Sequence, residues 1–343
     1  MNSLNLEVNH QPDSLRQLVQ FYQQDAPDLL ANIQCPTRPL LTGMGASFHA
    51  AMVAAYHLQS IGIPAVAIEA TDILHYCRSF LGGDWDLIYI SQSGFSAEVK
   101  PLLESLGSKK VFLSITNNDQ SPLVAKAQHS LPLIVDSETF IASKTYLNSL
   151  AVLWLLVRRW SISINGDEFD RLLDIAIRVE QILQYSDTIS DIWLNELGNC
   201  QTLIFTGYGP HSATARQSAQ TVSEWAKIPS LGIGVGTLRH GFIEIADSRN
   251  GFVVFTPSGV TQANALGLAE ELSGYSAHVL VVENGVSRKV SKRRSFDQNL
   301  DELINHIFPS GAWSYRCVCD QIEPLVLAQY SIGEMSRLGK INL

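Results

Sequence analysis

Hydrophobic and polar positions alternate along this chain in two rhythms. Short runs of Val, Ile, Leu and Phe, about five residues each, read as buried strands. They are PLLT from Pro39, DLIYI from Asp86, VFLSI from Val111, TLIFT from Thr202, GFVVF from Gly251 and HVLVV from His278. Between them lie helical stretches such as Phe48 to Gln59 and Ala97 to Leu106. Near-continuous apolar strands alternating with helices imply parallel sheets covered on both faces. Ligands in such folds bind beyond the carboxyl ends of the strands.

The pattern occurs twice. An apolar strand followed by T-G-x-G and a helix of small residues begins at Pro39 and again at Thr202. Thr42 matches Thr206 at an offset of 164, and Ile63-Pro64, His75 and Asp86–Gly94 match Ile228-Pro229, His240 and Gly251–Gly259 at 165. The expected fold is therefore α/β: two similar doubly wound parallel-sheet domains related by internal duplication. The first would span residues 1–165, with an N-terminal helix over Ser14–Leu30. The second would span 166–343, opened by a connecting helix over Glu168–Tyr185 and closed by a helix and short tail over Pro324–Leu343. In the connecting helix Leu172, Ile175, Ala176, Val179, Ile182 and Leu183 recur at helical steps and predict one buried face.

Composition narrows the function classes. The 343 residues are 46% apolar and carry a net charge of −9. That balance argues against a disordered chain, a general nucleic-acid binder or a protein held on anionic membranes. The apolar run Leu150–Val157 is too short to span a bilayer, and the opening residues lack a secretory pattern. Five scattered cysteines (Cys35, Cys77, Cys200, Cys317 and Cys319) read as reduced thiols, with no ligand cluster for a metal. A cytoplasmic protein with no metal is expected.

The strand ending at Ile90 runs into Ser91-Gln92-Ser93-Gly94-Phe95-Ser96 and then toward a helix. Hydroxyls and unpaired amides at such a turn suit an anion such as phosphate, although a serine there can equally cap the helix. Thr256-Pro257-Ser258-Gly259, the matching turn of the second copy, has thinner polar content, which points to a single phosphate loop in the first. Two further strand-to-helix turns could converge on it: Gly43-Met44-Gly45-Ala46-Ser47 and Ala142-Ser143-Lys144-Thr145. The first has G-x-G but Phe48 where the dinucleotide fingerprint has its third glycine, a weak signal for NAD.

Together S-Q-S-G plus a hydroxyl, G-x-G-x-S followed by Phe-His-Ala, and the A-S-K-T helix start resemble the sugar isomerase (SIS) domain. The resemblance covers roughly residues 36 to 340. It is to tandem SIS proteins: the isomerase half of glucosamine-6-phosphate synthase and its stand-alone isomerase, deaminase and deglycase relatives. It implies two flavodoxin-like domains, a homodimer with sites shared between subunits, and no cofactor. By resemblance, phosphate is held by Ser47, Ser91, Gln92, Ser93, Ser96 and Ser143. Catalytic roles fall on Glu224, on His240 sixteen residues later, and on Lys340 in the tail Leu338-Gly339-Lys340. The chain departs from the family pattern at Phe95, at Ser143-Lys144-Thr145, at Phe242 and at Gln217, where the synthase carries an acid. The chain begins Met1-Asn2, without the N-terminal cysteine nucleophile of a glutamine-hydrolysing domain, so it is not expected to act alone as a glutamine-dependent synthase.

Those residues suit proton transfer between adjacent carbons of an open-chain sugar. One carboxylate near both carbons moves the proton, the part expected of Glu224. An imidazole opens the ring, the part expected of His240. Lys340 would close the site or form a Schiff base. The expected function is a phosphosugar isomerase or amino-sugar-phosphate deaminase with a small sugar phosphate as partner. A non-catalytic sugar-phosphate sensor is the alternative. A third reading, an NAD-dependent dehydrogenase, rests on Glu69 about 20 residues past the G-x-G.

Overall fold

A computed structural model of the protein describes residues 7–139, 141–161, 167–184, 186–283 and 286–289. Within them ten strands form two five-stranded sheets. The first contains β1 (Pro39–Thr42), β2 (Val66–Ala67), β3 (Asp86–Ile90), β4 (Val111–Thr116) and β5 (Ala127–Pro132) in the order β2-β1-β3-β4-β5, all parallel. The second contains β6 (Thr202–Gly207), β7 (Ser230–Gly234), β8 (Asn250–Phe255), β9 (His278–Glu283) and β10 (Val286–Lys289) in the order β7-β6-β8-β9-β10. The two orders are the same when read from each first strand. β10 differs from the all-parallel expectation and pairs antiparallel with β9. Only a short connection separates them, and a short connection returns a strand antiparallel.

The helices introduced here are α1 (Gln11–Gln20), α2 (Ala46–Ser60), α3 (Val99–Ser105), α4 (Lys144–Ser161), α5 (Asp167–Gln184), α6 (Ser186–Leu197), α7 (His211–Thr221), α8 (Val235–Arg239) and α9 (Gln262–Gly274). α4 is buried from Lys144 to Val157 and packs against α1 and α2. Its middle is apolar on all sides, as an interior helix requires. α5 packs on α1 and buries Leu172, Ile175, Ala176 and Val179, while Ile182 and Leu183 are half-buried. Glu168 at its start is buried and meets Arg158 of α4 at 3.1 Å.

The expected N-terminal helix is shorter than its pattern. α1 ends at Gln20, a π-helical turn covers Phe21–Asp25, and a short helix resumes at Asp28. Pro27 explains the break, since the residue before a proline is pushed out of helical geometry and Ala26 sits at φ −143°, ψ 55°. The helix expected from Ala97 begins at Val99. The closing helix and tail expected over Pro324–Leu343 lie outside the described residues.

Helices α2 and α7 pack on each other across the two sheets, and Ala213 of α7 joins the core built on the first sheet. This contact brings the loops at the carboxyl ends of β1 and β3 toward the far end of α7. No helix among the described residues is long and apolar enough to cross a membrane.

Candidate functional site

The order of the first sheet reverses between β1 and β3. Loops leaving neighbouring strands on opposite faces open a crevice at such a point. Here the loop after β1 leads through Met44, Gly45 and Ala46 to Ser47, in the first turn of α2, and the loop after β3 carries Ser91 to Ser96. A cleft of about 400 Å³ lies there. Met44–Ser47 and Gln92 form one wall, and Glu138, Thr145, Tyr146 and Ser149 form another. Gln220 and Glu224 close it from the second half of the chain.

The Ser91–Ser96 loop leaves donors free. Ser91 Oγ accepts the Gly94 amide at 3.2 Å, and Ser93 Oγ accepts the Phe95 amide at 3.1 Å. Accepting through oxygen leaves each hydroxyl proton available to an anion. Gln92 is anchored by its carbonyl, which accepts from the Asn117 amide at 2.9 Å and from Thr116 Oγ1 at 3.1 Å. Its exposed side chain lines the cleft. Gly94 has φ +66°, and a Cβ there would lie 2.4 Å from the Ser121 side chain. Only glycine lets the loop turn this tightly. Ser96 precedes α3 by a full turn of chain, so it is not that helix's cap, and its carbonyl accepts the Val99 amide at 3.0 Å.

The second wall differs from expectation. Ser143 is fully buried, and both its amide and its hydroxyl donate to Glu138 Oε1, at 2.8 and 2.9 Å. The Thr145 amide donates to the same oxygen at 3.2 Å. The first-turn amides of α4, expected to face phosphate, are thus taken by a carboxylate of the chain itself. Lys144 is also buried, paired with Asp136 and donating to the Ser137 carbonyl at 3.1 Å. Burial pushes the Tyr146 phenol well above its ordinary pKa, so it stays protonated.

Glu224 comes from the far half. α7 runs directly into a π-helical turn over Val222–Ala226, which carries Glu224. Such turns recur at functional sites because they re-aim side chains that a regular helix would point elsewhere. The turn ends at Lys227, which is left-handed at φ +56° and whose Nζ donates to the Glu224 carbonyl at 2.5 Å. Gln220, one turn before Glu224, reaches over Gly45; a side chain at Gly45 would meet its amide at 3.1 Å.

The structure therefore joins Ser47, Gln92 and Glu224 in one cleft. Ser91, Ser93 and Ser96 lie in the Gln92 loop but are not among the cleft's lining residues, nor is Ser143. His240 is exposed at the end of α8 and does not line the cleft. His75, its repeat partner, is exposed at the end of the helix Ala70–His75. Lys340 lies outside the described residues. Sequence reasoning missed Glu138, Gln220, Tyr146 and Ser149. An acid five residues ahead of a serine at a helix start was a usable signal for Glu138, because carboxylates favour helix N-termini. Nothing local marks the other three.

Among the described residues no group of histidines, cysteines and acids could hold a metal ion. The lining residues include two carboxylates and no lysine or arginine. Any anion held here would be bound by hydroxyls and amides.

Residues 32–159 match the SIS domain. The match takes in the first sheet, the Ser91–Ser96 loop and most of α4. The second sheet lies outside it. A glutamine–fructose-6-phosphate aminotransferase (isomerizing) from Pyrococcus horikoshii is 26% identical over 286 residues, covering 82% of this chain and 48% of that protein. The chain thus spans about half the length of the curated relatives it matches. Among solved structures, the C-terminal domain of glucosamine-fructose-6-phosphate aminotransferase from Francisella tularensis superposes with a TM-score of 0.77 at 18% identity, over 98% of this chain and 97% of that one. Tagatose-6-phosphate ketose/aldose isomerase from Escherichia coli gives 0.74 at 20%, over 98% and 94%. These superpositions cover both sheets and show a shared overall fold.

Proposed function

We propose that the protein binds a 6-phosphorylated sugar in the cleft and interconverts aldose and ketose by proton transfer. The observation that carries this reading is the convergence of Ser47 and Gln92 with Glu224 on one cleft. The names of the relatives, which concern fructose 6-phosphate and tagatose 6-phosphate, support the substrate class. The shared strand order and the offset of 165 between matching segments support a duplicated architecture, with the phosphate loop in the first copy and the acid in the second.

In this reading the loop hydroxyls and the amides near Ser47 hold the phosphoryl group. The Glu224 carboxylate removes the proton from C2 of the open-chain aldose and returns it to C1 through an enediol. His240 opens the ring from a second copy of the chain, and Lys340 closes the tail over the ligand. Where the sugar carries an amine at C2, the same shuttle gives a C2 imine, which water hydrolyses to the ketone with release of ammonia.

A second reading is a sugar-phosphate sensor without turnover, favoured by the exposure of His240 away from the cleft. One experiment separates them. The full chain is incubated with fructose 6-phosphate, tagatose 6-phosphate, glucosamine 6-phosphate and fructosamine 6-phosphates, and product and ammonia are followed by NMR. Turnover of any one supports the isomerase or deaminase reading. Saturable binding of the same compounds without product supports the sensor.

A further inference from the structure

The isomerase reading needs two groups at a set separation: the phosphate-holding wall of the first sheet and the Glu224 carboxylate of the second. α2 carries the first and α7 leads into the second. A side-chain hydrogen bond joins these helices. His49 Nδ1 lies 2.8 Å from Gln217 Oε1, with both residues buried at 8% and 2% exposure. His49 follows Ser47 by two residues, and Gln217 precedes Glu224 by two helical turns.

Gln217 presents its amide oxygen to His49 and donates from Nε2 to Thr221 Oγ1 at 3.3 Å; an amide oxygen only accepts. The imidazole therefore donates from Nδ1–H. Burial pulls the His49 pKa below its ordinary value and keeps the ring neutral. The bond thus runs in one direction, between two groups shielded from water.

We propose that His49 is a positioning residue which, through Gln217, sets the register of α2 against α7 and so places the Glu224 carboxylate relative to the phosphate-holding wall. This rests on the isomerase reading above. Ser47, at the start of α2, donates its amide to the Met44 carbonyl at 3.1 Å, and the Gln92 loop is held by Thr116 and Asn117, so both keep anchors in the first half that do not involve the bond. Its loss misplaces the acid while leaving anion binding intact. A displacement of about 1 Å at a reacting group costs on the order of a hundredfold in rate.

The test uses the full chain, the sugar phosphate it turns over and inorganic phosphate as the binding probe. His49→Asn keeps a donor where Nδ1 stood but leaves space. His49→Leu keeps the volume but removes the donor. The expected result is kcat within about threefold of wild type for Asn and about ten- to a hundredfold lower for Leu. The Kd for inorganic phosphate, by calorimetry, should change less than about twofold in either. Exchanging the partners, His49→Gln with Gln217→His, should recover most of the loss.

A purely structural role predicts the opposite order, since a cavity costs more than a volume-conserving swap. Rates are therefore normalised to the folded fraction by circular dichroism. If His49→Leu fails to fold, Gln217→Met removes the acceptor from the other side and carries the same expectation. An active wild type whose Leu and Met variants keep full kcat, or whose Asn variant is worse than Leu, overturns this proposal alone. A wild type that binds phosphate but turns over no sugar phosphate overturns the isomerase reading and this proposal with it.

Discussion

The carboxylate of Glu138 accepts hydrogen bonds from both the amide and the hydroxyl of Ser143, at 2.8 and 2.9 Å. It thereby caps α4, an 18-residue helix whose first turns are buried. A negative group at that end is favoured by the helix dipole, and bonds to a charged acceptor are stronger than neutral ones. Glu138→Ala leaves the Ser143 hydroxyl buried without its acceptor. We expect a loss of about 2–3 kcal/mol in urea unfolding, with Glu138→Gln losing about half as much. Equal melts for wild type and the Ala variant would show that the cap contributes nothing.

Glu224→Gln keeps size and hydrogen-bonding capacity but cannot take a proton. Turnover of the substrate should fall by about 10²- to 10⁴-fold while affinity for inorganic phosphate is unchanged. If phosphate affinity falls in parallel with rate, Glu224 shapes the cleft rather than moving the proton.

Gly94 sits at φ +66° with Ser121 2.4 Å from where a Cβ would be. Gly94→Ala therefore meets both a backbone penalty and a clash. Stability should drop by about 1–3 kcal/mol, and phosphate binding should weaken at least about tenfold as the loop opens. Paired calorimetry and denaturant melts check both numbers. A stable variant with intact binding would mean that the turn is not what forms the anion site.

His211 is fully buried at the start of α7 and stacks near Phe255 at 6.3 Å between ring centroids. Burial, with a smaller contribution from His57, pushes its pKa from 6.5 down to about 3. The unfolded chain takes up a proton below about pH 6.5 that the folded chain refuses. Its contribution to stability is complete above that pH and is lost as pH falls toward 3, at up to about 1.4 kcal/mol per unit. His49 is shifted in the same direction and adds to the loss. His211→Leu should flatten the acid side of the stability profile measured by urea melts between pH 7.5 and 4.5. Parallel profiles would place the acid sensitivity elsewhere.

Six of the ten strands described, β1, β3, β4, β6, β8 and β9, were legible because each is a short apolar run closed by a turn; β2, β5, β7 and β10, which are short, glycine-containing or polar, were not. Asp86–Ile90, Val111–Thr116 and His278–Glu283 fall where the pattern puts them. The buried face of α5 was legible from its helical spacing as far as Val179. Boundaries set by a single residue were harder: Pro27 split the first helix, and α3 began two residues later than its pattern. The direction of β10 followed from the length of its connection, which the apolar runs do not report.

By itself the sequence determined the alternation of strand and helix, the doubled order of segments and the position of the serine loop, all consequences of local spacing. Only the tertiary structure decided that Glu224 shares a cleft with Ser47 and Gln92, that Glu138 takes the donors of Ser143, and that His240 stands outside. Periodicity tells a residue which face to bury. Which distant residues meet depends on how α2 and α7 pack, and that packing couples His49 to Gln217 over a separation of 168 residues. No window along the chain contains both.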